Sequence, residues 1–301
     1  MSIENTIFSR HTERADGSMG YSPEEADKIS EQYPSLTKEG ENKAREMVNH
    51  EFGEMVDNMD ENGILFIGGS SEEERTKATA EVIGDELSNR YNGKEETVVF
   101  TKQNIDTLRE QTRAEGGKIL DKINEAIKKH SNQKLVFTYP LFLKEFSLRP
   151  HHRDKKTGEH SAYMKELLKR VGNNEYKAIS EWFRNEGKIS VGDEELIVPS
   201  PQETAETHLR GIERLKQFAE KFSEQRPITI GFVGHGWQLD ALAIYLANSG
   251  EVNAEAFERL FRSEEIKQPE QGKIIIKGEN ATFIYRGNEY QIPTEFLKKE
   301  Q

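Results

Sequence analysis

The chain contains no cysteine in its 301 residues. Disulfides, thiolate metal centres and cysteine nucleophiles are therefore excluded. Positive charge is also in short supply, with 42 Lys and Arg against 54 Asp and Glu and a formal net charge of −12. A field of that sign repels nucleic acid and anionic membranes, so a phosphate-bearing partner has to be met by a local basic pocket, which favours a small ligand. No stretch approaches the roughly 18 apolar residues of a membrane span. The opening Met1-Ser2-Ile3-Glu4-Asn5 lacks the basic and apolar regions of a secretion signal. The expectation is a cytoplasmic protein with no nucleic-acid and no membrane partner. Its oligomeric state is not encoded in any recognisable pattern.

Apolar residues are scarce as well, at 34% against 32% charged, a balance that accompanies disorder when the apolar residues are scattered. Here they are concentrated. Ile64-Leu65-Phe66-Ile67, Leu135-Val136-Phe137 and Ile228–Val233 are compact runs of the kind buried strands carry, set among polar amphipathic segments. Thr6–Ser9 reads as a first strand, Glu41 to Met59 as a helix with Ala44, Met47, Val48, Phe52 and Met55 on one face, and Glu72 to Tyr91 as another. Strand Val98–Phe100, a long helix broken at Gly116-Gly117, strand Leu135–Thr138, a helix over Gln202–Gln225 and one over Leu239–Asn248 follow. Lys273–Lys277, Thr282–Tyr285 and Tyr290–Ile292 read as an antiparallel meander. Strand and helix alternate repeatedly, which predicts an α/β fold: a mainly parallel central sheet flanked by helices, with an elaborated middle and a small C-terminal antiparallel meander. Residues 1–301 are expected to form a single domain, with 97–199 as an insertion or cap-like substrate region.

Four segments bear chemistry-competent residues at strand ends or helix starts. Arg10-His11-Thr12-Glu13 follows the first strand, and Leu36-Thr37-Lys38-Glu39-Gly40, with Ala44, opens the first helix. Ser71 and Arg75 stand in register with Thr79-Ala80, and Val233-Gly234-His235-Gly236 ends the strand over 228–233. Chemistry at the C-terminal ends of strands is where open α/β sheets place ligands.

In this order the four segments resemble the signatures of the histidine phosphatase superfamily, the phosphoglycerate-mutase-like three-layer sandwich. The likeness covers residues 6–83 and 200–247; it departs at Thr12, where the family has glycine. Glu203 and Arg210 also echo a helix of that family, although their spacing fits an exposed helical pattern better than a catalytic role. The resemblance implies a metal-independent, cofactor-free phosphomonoesterase of the histidine acid phosphatase kind, acting on a small phosphoester. His11 would be the nucleophile that carries the phosphoryl group, with Arg10, Arg75 and His235 around its oxygens.

The residue types suit that chemistry. A transferring phosphoryl group spreads negative charge over three oxygens, arginine forks answer it bidentately, and a neutral imidazole is a competent nucleophile near neutral pH. A poor alkoxide leaving group also needs a general acid. Glu145, a few residues past strand 135–138, is the preferred candidate. Glu110 is the alternative acid, because Leu108-Arg109-Glu110 and Glu115-Gly116 are closer to the family's wording. Arg149, His151 and Arg153 in a basic stretch form a candidate substrate subsite.

Two other functions share these motifs. A phosphoglycerate-type mutase fits less well, since Thr12-Glu13-Arg14-Ala15-Asp16-Gly17 is unlike the run that follows the nucleophile in mutases. A catalytically weak phosphate-binding pseudo-enzyme is the non-enzymatic reading. His151, His152 and His160 lack an ordered metal-ligand spacing, so no metal is expected. His50, His130 and His208 are assigned to the surface, and Trp182 and Trp237 to the core or a pocket wall.

Overall fold

The computed structural model describes residues 3–10, 28–70, 74–148, 159–221, 226–262, 264, 270–277 and 280–293. Strand β1 (Ile3–Arg10) lies inside an eight-stranded sheet with β2 (Ile64–Ser70), β3 (Thr97–Phe100), β4 (Lys134–Leu143), β7 (Ile228–Gly234), β8 (Gln271–Lys277), β9 (Asn280–Tyr285) and β10 (Asn288–Ile292). The order is β10-β9-β8-β1-β7-β2-β4-β3. From β1 to β3 every neighbouring pair is parallel, and β8 turns the sheet antiparallel by pairing with the free edge of β1. The C-terminal meander is thus the continuation of the main sheet.

The apolar runs of the sequence alternate across this sheet. Ile64 and Phe66 point to one face with Leu135, Phe137, Phe8 and Phe232, while Leu65 and Ile67 point to the other with Val136 and Val233. A strand covered on both faces has no polar side, which is why these runs read as continuous rather than alternating. Helices α1 (Lys38–Met47), α2 (Gly53–Asp57) and α3 (Glu74–Arg90) cover the second face. The first is covered by α4 (Lys102–Glu115), α5 (Ile119–Lys129), α8 (Pro201–Glu220), α9 (Gly236–Ala247) and α10 (Ala254–Phe261). Between them α6 (Ala162–Arg170), α7 (Glu175–Asn185) and a separate hairpin of β5 (Lys188–Val191) and β6 (Glu194–Ile197) occupy the middle of the chain.

Several elements differ from the sequence expectations for identifiable reasons. The helix expected over 41–59 starts at Lys38, because Thr37 accepts a hydrogen bond from the Gly40 amide at 2.9 Å and caps it, and a π-turn over Val48–Phe52 separates α1 from α2. Strand β4 runs past Thr138 to Leu143 although Pro140 lies within it; the register passes from Ile67↔Thr138 to Gly69↔Phe142, so the extra β4 residues form a bulge that spares Pro140 a ladder bond. The stretch 97–199, expected as an insertion, contributes β3 and β4 to the main sheet, and only its later part lies outside it. His208 is not a surface residue: it is fully buried in α8, with Nδ1 donating to the Thr204 carbonyl at 2.9 Å and its ring 5.5 Å from that of Phe146. Trp182 and Trp237 stack at 5.6 Å in the core, as expected.

Candidate active site

Arg10 is the last residue of β1 and stands in register with Gly234, the last residue of β7. His235 follows as the extended N-cap of α9, with φ −111° and ψ 151°. One strand over, β2 ends at Ser70, and Arg75 lies in the first turn of α3. Thr79, fully buried, donates its hydroxyl to the Arg75 carbonyl at 2.9 Å and fixes that turn. Three separate motifs of the sequence are thereby drawn to one spot at the C-terminal edge of the parallel strands, which is also where the N-terminus of α9 presents its amides.

The contact that joins them is specific. Arg75 Nη2 lies 3.2 Å from His235 Nδ1. A guanidinium has donors only, so the imidazole accepts at Nδ1 and its proton sits on Nε2. His235 is buried and is thus held as the tautomer whose Nε2–H can donate to an anion.

Beside Arg10 lies a partly buried charged group that motif reading did not find. Asp240, five residues past His235 in a mostly apolar helix, is fully buried. Glu270 binds Arg286 through two contacts of 2.8 and 3.0 Å, and its carbonyl accepts from the Arg10 amide at 3.3 Å. Tyr285 lies among them, its hydroxyl pushed far above the usual tyrosine range by burial and then by Asp240 and Glu270, with Arg286 and Arg10 acting the other way. The detectable signal was a lone aspartate in the apolar run Leu239–Ala247.

The two candidate acids are placed very differently. Leu143 stands level with Ser70, so Glu145, on a 3₁₀ turn over Lys144–Ser147, lies just past the end of the strand that neighbours β2. Phe146 stacks on Phe232 at 4.5 Å and anchors that turn to β7. One Glu145 oxygen is ion-paired with Arg214 of α8, and the other is buried without a hydrogen bond. Gln238, in the first turn of α9, ties Leu148 to the same region by donating to its carbonyl at 2.8 Å. Glu110 is exposed on α4, eight residues, or about 12 Å, beyond the start of a helix that leaves the sheet two strands further out. It shares a groove with Glu81 and Lys102 and does not join the cluster.

His11, Ser71, Arg149, His151 and Arg153 lie outside the described residues. Glu203 and Arg210 are exposed on α8, and Glu203 caps that helix by accepting from the Ser200 amide at 2.9 Å.

No protein-family model and no curated protein matches the chain. Among solved structures it is similar to a mycobacterial glucosyl-3-phosphoglycerate phosphatase, at 10% identity over 90% of this chain and 89% of that one, with a TM-score of 0.42. A second mycobacterial hydrolase matches at 12% identity over 98% and 94% of the two chains, with a TM-score of 0.42. A phytase of Klebsiella sp. ASR1 matches at 12% identity over 96% and 81%, with a TM-score of 0.31. Likenesses this loose carry no argument about activity, which has to rest on the site.

Proposed function

We propose that the chain is a phosphomonoesterase that works through a phosphohistidine on His11, without a metal ion. The observation that supports this most directly is the meeting of Arg75 with His235 at 3.2 Å beside the end of the Arg10 strand. Two guanidinium forks, a donor imidazole and a helix N-terminus supply fixed positive potential of the kind a phosphoryl group needs as its charge spreads.

In this reading the neutral imidazole of His11 attacks phosphorus while the bond to the ester oxygen breaks, and a carboxylic acid delivers its proton to the departing alkoxide. Water then attacks phosphorus, gives a proton to the same carboxylate, and releases phosphate as the phosphorus–nitrogen bond breaks. Glu145 is the proposed acid and base, because it stands at the same sheet edge as the cluster. Its Arg214 partner is 61% exposed, so swinging away costs that contact little.

The test is mass spectrometry of the protein quenched in acid after mixing with a phosphate donor. Phosphate on His11, absent in His11→Ala together with turnover, is the expected result. Turnover that survives in His11→Ala sinks the proposal.

A further inference from the structure

On the face of the sheet covered by α1 and α2, away from the Arg10 cluster, lies a second cavity of about 400 Å³, a size in the range of small-molecule sites. Ile7 of β1 and Met55 of α2 line it with apolar surface. Glu51 and Glu54 line it on the helical side, Asp60 in the turn before β2, and Gln271 and Lys273 on the β8 side.

Glu51 is out of place by ordinary helix logic. Ala44, Met47, Val48, Phe52 and Val56 are all buried, and position 51 falls within their stripe, where a core-facing helix carries an apolar side chain. Its Oε2 is buried with no hydrogen bond. Burial, and then the neighbouring Glu54, pushes its carboxyl up to about 7. On the β8 side the Gln271 Nε2 donor is also buried with no hydrogen bond. Among the described residues Lys273 is ion-paired with none of the three carboxylates that share the cavity.

An unmet acceptor with surplus negative charge on the helical side, and an unmet donor beside a cation on the β8 side, suit a molecule that carries both signs. Glu51 is partly buried, and a carboxylate drawn out of water without a counter-charge is costly unless something completes it. We propose that this cavity binds a small zwitterion of the amino-acid class, with its ammonium against Glu51 and Glu54, its carboxylate against Gln271 and Lys273, and an apolar side chain along Ile7 and Met55. Neither a simple amine nor a simple carboxylic acid satisfies both sides. The inference does not depend on the phosphatase reading, since none of these residues belongs to that site.

The experiment is a thermal-shift and calorimetric titration of the full chain with the free L-amino acids. For the best of them, the amine and the carboxylic acid that each lack one charge are titrated as well. A saturable rise in Tm for the zwitterion, stronger than for either single-charge analogue, is expected. Glu51→Gln removes a partly buried charge and keeps the shape, so it should fold, and Lys273→Met alters only a partly exposed strand residue. Each should weaken binding about tenfold or more. No Tm rise with any amino acid up to about 10 mM, a concentration that reveals only sites tighter than roughly that Kd, overturns the proposal. So does equal binding of the amine alone, or unchanged affinity in both variants.

Discussion

Arg75 and His235 stand 160 positions apart in sequence and 3.2 Å apart in space, and the guanidinium dictates which imidazole nitrogen holds the proton. Arg75→Lys keeps the charge and loses the planar fork. The expected outcome is a fall in kcat/KM of about a hundredfold, in the range found when one charge-stabilising donor is removed. Nitrogen-15 NMR of the His235 ring checks the cause: the Nε2–H tautomer should dominate in the parent, and a mixture of tautomers should appear in the variant.

Glu145 and Glu110 can be separated by leaving-group dependence. Glu145→Gln should lower kcat on an alkyl phosphate by about a hundredfold or more, as loss of a general acid does. Its kcat/KM on p-nitrophenyl phosphate, which reports only the first step, should change much less because that leaving group needs no proton, whereas hydrolysis of the phosphohistidine loses its base with either substrate. Glu110→Gln should match the parent on both. The reverse pattern would move the proton donor to α4 and require that helix to rearrange.

One buried and one partly buried group should give the stability profile opposing slopes with pH. Burial lowers the His208 pKa from 6.5 to about 4. The unfolded chain therefore binds the extra proton first, and the stability that the neutral ring contributes is complete above about 6.5 and is lost as pH falls toward 4. That loss is on the order of 3 kcal/mol. Glu51, raised from 4.5 to about 7, works oppositely: the folded chain holds the proton longer, so stability falls as pH rises across that window. Urea denaturation should show a shallow profile in the parent, a steeper acid loss in Glu51→Gln, and in His208→Gln the opposite slope, with stability falling as pH rises from about 4.5 to 7. Parallel profiles in all three would refute this account.

Gly272 faces Phe8 across the β1–β8 pair, and a Cβ there would enter the Phe8 ring. Phe8 cannot withdraw, because its ring is held 5.7 Å from Phe232 on one side and 5.7 Å from Phe283 on the other. Gly272→Ala should cost about 1–3 kcal/mol as an overpacked core site. Adding Phe8→Leu should recover part of that loss, measurable as a positive coupling in a double-mutant cycle.

Much of the sheet was legible because fully buried parallel strands must be apolar on both faces, and Ile64–Ile67, Leu135–Phe137 and Ile228–Val233 could be little else. The start of α1 was missed by a few residues, since Thr37 acts through a side-chain cap rather than through periodicity. Strand β4 read short because Pro140 is an ordinary strand terminator and only the bulge accommodates it. Helix α10 and the β5–β6 hairpin were not read at all: they are short, and Ile197 is 63% exposed, so the hairpin has no clean buried alternation. Order and register singled out Arg10, Arg75 and His235 in the sequence, and in the structure Arg75 meets His235 beside the end of the Arg10 strand. Asp240 and Tyr285 were not legible, because a residue that acts on another through a partly buried charged group leaves no local spacing to detect. His208 was misplaced for a similar reason: a neutral histidine that bonds to its own helix carbonyl is chemically quiet and can be buried almost anywhere along an apolar face.

The position of β1 in the sheet has a consequence for how the molecule is made. Among the described residues its strand neighbours are β7, which begins at Ile228, and β8, which begins at Gln271. On the ribosome, β2, β4 and β3 can join as a parallel trio long before either has been synthesised, while Arg10 and the sticky Phe8 beside it wait without a strand partner. Closure of the sheet around β1 is thus a long-range event of the slow kind, and the growing chain carries an exposed apolar strand until residues 228–277 have been made, a condition under which chaperones are needed.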